Sequence, residues 1–207
     1  MGRDLTLLMA DWQHLRAVPV KDRIDVLEDA IWPPDADEEF PGTHGSADGW
    51  VWPPHQDPVW CAEYRFFCTT GSYRPHARAG VAWDEMRGLV ETSLRDAMDG
   101  FLSDLIWRED ADANSSRTGG GGLFPPAAGL GHFPVLLVCP PEAVPGKARA
   151  WRRAAPRLEE LRGPFAAECE GWAGRPDTFE EFTTLVREWG EVVTETARRG
   201  WGLVGLP

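Results

Sequence analysis

The stretch Asp84 to Trp107, DEMRGLVETSLRDAMDGFLSDLIW, most constrains what this chain can fold into. Met86, Val90, Leu94, Ala97, Met98, Phe101 and Leu105 recur at steps of three and four, the period of one helical face. Leu89, Leu102 and Ile106 widen that face into a stripe. Arg87, Glu91, Arg95 and Asp99 stand four apart with alternating sign on the other side, where each can pair along the helix and face water. The spacing predicts one helix capped by Asp84 and roughly 36 Å long at about 1.5 Å per residue. Gly88 and Gly100 each weaken it by about 1 kcal/mol relative to alanine, so it needs tertiary packing.

Two further helices follow from the same period. Pro145 starts one that carries Trp151, Ala154, Ala155, Leu158, Leu161 and Phe165 on one side, and Pro156 should kink or split it. Thr178 to Arg199 is the best signalled: Thr178 and Glu181 form a capping box, and Phe179, Phe182, Val186, Trp189 and Val193 line the core face. Arg198 and Arg199 sit at its negative end, and Gly200 stops it. Near the N-terminus, Asp11 caps a short helix through Ala17, and a helical face of Ile24, Leu27, Ala30 and Ile31 ends before Pro33 and Pro34.

Strands are expected at Leu5–Met9, Ala62–Thr69, Pro134–Cys139 and Gly202–Leu206. Ala62, Tyr64 and Phe66 alternate with Glu63 and Arg65, the period of a half-buried strand, with a helix carrying Trp60, Tyr64 and Phe67 on one face as the rival. The continuous run FPVLLVC suits a fully buried one. The sum is an α+β chain, a helix-dominated single globular domain over residues 1–207 with a small mixed sheet of three to four short strands. Residues 33–58 are rich in proline and tryptophan and read as a packed, irregular excursion; residues 110–122 read as a flexible glycine-rich loop.

Charge narrows the function classes. The net charge is -12, and residues 1–60 hold 12 acids against 4 bases, or -8. Such a chain repels nucleic acid and anionic membranes as main partners and suits a basic protein partner. The first residues lack a signal-peptide apolar core and no run approaches membrane-spanning length, which points to the cytoplasm. Cys61, Cys68, Cys139 and Cys169 are then expected as reduced, buried small hydrophobes.

No HExxH, CxxC, GxSxG, P-loop or GxGxxG in a strand–helix setting occurs, and prolines rather than a helix follow Gly119–Gly122. His55, Cys61, Cys68 and His76 match no familiar zinc spacing, and read as two buried thiols and two surface imidazoles; no metal or cofactor is implied.

Three constellations stand out. Arg74, His76 and Arg78, joined by Arg65 and assisted by Tyr64 or Tyr73, lie on an expected loop and could clamp a small anionic ligand or serve an enzyme acting on one. Arg149, Arg153 and Arg157 form a helical ridge within a local charge of +4 over residues 147–162. It is an anion or nucleic-acid contact, or else a solvated face docked near the acidic first third. Asp35, Asp37, Glu38 and Glu39 with Trp50 and Trp52 offer carboxylates and indoles to a basic partner. The favoured expectation is therefore a non-enzymatic interaction protein of the immunity or antitoxin-inhibitor kind; the rival is an enzyme using the Arg/His loop.

Overall fold

A computed structural model describes residues 4–31, 49–53, 56–107, 122–125 and 135–207. A five-stranded antiparallel sheet runs through it. Its strands are β1 (Thr6–Ala10), β2 (Gly49–Val51), β3 (Cys61–Arg65), β4 (Leu137–Cys139) and β5 (Gly202–Leu206), in the order β2-β3-β1-β5-β4. The expected α+β class holds, but the sheet has five strands rather than three to four, and every pairing is antiparallel rather than mixed. The strand missed is β2, three residues inside the proline-rich excursion: Gly-Trp-Val is too short to show a period, and its pairing with β3 (Trp50 opposite Tyr64) is a long-range choice.

β1 is central because nearly all of TLLMA is apolar and both faces are covered. Leu7 and Met9 enter the larger core with Ala62, Tyr64 and Leu203; Leu8 and Ala10 enter the second with Cys61, Val204 and Leu206. The second core is closed by α1 (Trp12–Ala17) and α2 (Arg23–Ile31) through Trp12, Leu15 and Leu27. Asp11 caps α1 as its sequence indicates, its carboxylate accepting from the Gln13 amide at 2.8 Å.

The larger core is covered by α3 (Arg74–Met86), α4 (Thr92–Leu102), α5 (Val144–Ala154), α6 (Arg162–Glu168) and α7 (Phe179–Arg199). Here the expected single helix over Asp84–Trp107 is overturned. Its apolar positions are buried apart from Leu89, which is exposed, but α3 begins ten residues earlier and passes into a 3-10 turn at Arg87–Leu89, Val90 is extended, and Glu91 caps a new helix by accepting from the Ser93 and Leu94 amides. Asp84 is accordingly no cap; it lies within α3 and its carboxylate accepts from the Trp107 indole at 2.9 Å. A Glu followed by Thr-Ser makes an N-terminus as readily as a helix interior, and Gly88 lowers the barrier to breaking.

Pro156 has the expected effect: α5 ends at Ala154 and a 3-10 segment, Ala155–Leu161, leads into α6. α7 has the expected Thr178 cap, the hydroxyl accepting from the Glu181 amide at 3.1 Å, and ends at Gly200 with φ 70°. Among the described residues no helix is long and apolar enough to cross a membrane. The expected loop at 110–122 and the acids Asp35, Asp37, Glu38 and Glu39 lie outside the described residues, apart from Gly122.

Candidate functional site

α7 is the spine of an aromatic-walled surface groove. Its core face is buried, so positions 187, 190, 191, 194 and 195, which recur at helical spacing, turn together towards one side. Arg187, Gly190, Glu191, Thr194 and Glu195 make the floor of an open groove of about 500 Å³, walled by Trp50 from β2 and Trp151 from α5. Gly190 is what lets the second wall approach: a Cβ there would overlap the Trp151 indole ring.

The aromatic wall continues along the sheet edge. Trp50 meets Tyr64 edge-on, with centroids 5.0 Å apart at 73°, and Trp52 lies 6.3 Å from Trp50. The Tyr64 hydroxyl donates to Glu191 at 2.9 Å, tying β3 to the floor. At the far end the Arg199 guanidinium sits 4.1 Å from the Trp52 ring and 5.1 Å from that of Trp201, while its Nε donates to Glu195 at 2.7 Å. Arg198 also donates to Glu195, and these two arginines hold the carboxyl down at about 2, so it is ionised throughout the neutral range. Indole faces beside fixed carboxylates are the chemistry that receives an ammonium or guanidinium group.

Of the residues singled out from sequence, Trp50 and Trp52 belong to this surface. The Arg/His constellation is arranged otherwise than expected. Residues 74–78 are not a loop but the first turn of α3. Pro75 suits a first turn, and the helix forms because Ala79, Ala82, Trp83 and Met86 supply an apolar face. His76 is 1% exposed, not a surface imidazole: it lies among Phe66, Tyr73 and Trp189, and its Nδ1 accepts from the Trp189 indole at 3.1 Å. Burial drives its pKa down to about 3, so at neutral pH it carries no charge to offer an anion. Arg65 is held by Glu63, two residues along the same strand, at 3.0 Å. Arg74 is exposed and Arg78 half-buried; Tyr64 and Tyr73 meet His76 only within the aromatic cluster, Tyr64 by way of Phe66.

The expectation of four buried thiols also needs correcting. Cys61, Cys139 and Cys169 are buried, but Cys68 is exposed, because β3 stops at Arg65 and the chain turns at Phe67. Desolvation, and then the facing Glu188 carboxylate, push its thiol up to about 11, which keeps it a poor nucleophile. Among the described residues no group of three or more His, Cys, Asp or Glu side chains is placed to hold a metal ion.

Among the described residues, Arg157 of the ridge binds Glu91 at 3.1 Å and Glu160 at 2.7 Å, neither of them in the N-terminal third, whereas Arg149 and Arg153 are exposed. Sequence reading missed Trp151, Glu191 and Glu195 as groove residues. The signal was present in Gly190, an uncapped glycine inside a strong helical pattern, which marks a close approach by something bulky. No protein-family model, no curated protein and no solved structure matches this chain.

Proposed function

We propose that this chain is a cytoplasmic, non-enzymatic interaction protein whose acidic, Trp-rich N-terminal third binds a basic partner protein, in the manner of an immunity or antitoxin-type inhibitor. The observation that carries the reading is Arg199, stacked on Trp52 and bonded to Glu195. The protein's own guanidinium already occupies an indole-and-carboxylate seat, and the adjoining groove repeats that chemistry with Trp50, Trp151 and Glu191. The excess of 8 negative charges in residues 1–60 would speed encounter with a basic surface, and the indoles would set the lifetime of the complex.

Affinity capture from the native lysate, followed by binding kinetics with the captured protein, tests this. A stoichiometric basic protein is expected, with an association rate that falls steeply with salt and a dissociation rate that rises in Trp52→Ala. An association rate indifferent to salt, or retention of metabolites with no protein, overturns it.

A further inference from the structure

The solvent face of α5 carries a second charged surface, of opposite sign. Lys147, Ala150 and Ala154 face inward, so the helical period turns Arg149, Arg152 and Arg153 outward, and all three are exposed. Among the described residues none of the three forms an ion pair. The contrast begins just past Pro156, where Arg157 holds Glu91 and Glu160, and Arg162 holds Glu180. In a chain with 33 carboxylate side chains, a helix face made of arginine and left without carboxylates is a surface with its bonding capacity unspent.

The face is also rigid. The Lys147 ammonium donates to the Ser103 carbonyl at the end of α4, the Ala150 methyl packs over Gly100 of α4, and Trp151 lies on Gly190 of α7. The three guanidinium groups therefore project from an element fixed on two sides, which reduces the ordering needed to bind.

We propose that this face docks an acidic segment of a protein. Each guanidinium presents a planar fork that matches a carboxylate bidentately. Arg149 and Arg153 are one turn apart, a rise of about 6 Å. That interval suits carboxylates at i and i+4 of a helix, or at i and i+2 of a strand at about 6.8 Å. Nucleic acid offers similar spacing, but as a long polyanion it must run past the rest of a molecule carrying -12, whereas a short acidic segment meets only the ridge.

The test uses the full chain with a fluorescein-labelled oligoglutamate peptide and, in parallel, a single-stranded oligonucleotide of equal charge, both at low salt. Arg149→Ala/Arg152→Ala/Arg153→Ala is compared with Arg16→Glu/Lys21→Ala, which subtracts the same three charges elsewhere. Expected is peptide binding that weakens about tenfold or more in the ridge variant and by less than about twofold in the control. No peptide binding by the wild type overturns the proposal. So does an equal loss in the control, which would mean a whole-molecule field. Tighter, ridge-dependent binding of the oligonucleotide also overturns it, in favour of nucleic acid.

Discussion

The Arg87 guanidinium lies 2.7 Å from the Asp99 carboxylate, although twelve residues separate them. On one straight helix that separation would be about 18 Å. The break at Val90 and Glu91 brings α4 back beside α3, so that Asp99 accepts from both Arg87 and the Trp83 indole at 2.8 Å. Asp99 thus fixes the angle between two helices that cover the core. Asp99→Ala removes an acceptor shared by two donors and should lower stability by about 1–3 kcal/mol. Urea unfolding of the two proteins measures it, and coincident midpoints would refute the role.

Two glycines close in sequence should respond in opposite directions to alanine. A Cβ at Gly80 would run into the backbone carbonyl of Ile106, which cannot rotate away, so Gly80→Ala should destabilise by about 1–3 kcal/mol. Nothing stands within 4 Å of a Cβ at Gly88, and there the smaller entropy of the unfolded chain should make Gly88→Ala neutral or stabilising by up to about 1 kcal/mol. Thermal unfolding of both variants decides it; a comparable loss in each would mean that the turn after α4 does not press on α3.

His76 makes stability depend on pH. Its pKa is depressed to about 3 in the folded protein by burial, against an ordinary value near 6.5. Between those values the unfolded chain binds the extra proton, so stability is full above pH 6.5 and is lost as pH falls towards 3. From pH 6.5 to 5 this group alone should remove about 2 kcal/mol. His76→Phe keeps a ring among Phe66, Tyr73 and Trp189 but cannot titrate, so its urea midpoint should fall less over that interval. Parallel falls in the two proteins would contradict the assignment.

Much of the fold was legible because it rests on local rules. The alternation through Ala62, Tyr64 and Phe66, the Asp11 and Thr178 caps, the disruption at Pro156 and the stop at Gly200 each depend on residues a few positions apart. The groove was half legible. Trp50 and Trp52 stood out as large indoles in an irregular setting, but Trp151 read as an ordinary core position, and nothing local marked Glu191 or Glu195. Their convergence depends on pairing β2 with β3 and on seating α5 across α7, neither of which leaves a periodic trace.

By itself, then, the sequence determined the apolar faces of β3 and of the helix at Thr178–Arg199, several of the caps and stops, and the acidic balance of the first third. Those are consequences of side-chain period and backbone chemistry within one element. Only the tertiary structure decided that the Asp84–Trp107 stripe folds in two about Glu91 and that His76 turns inward to a tryptophan 113 positions away. It also paired Arg157 and, among the described residues, left the arginines of α5 without an ion pair. Each of these outcomes depends on which distant group the returning chain brings within bonding distance, and local spacing carries no information about that.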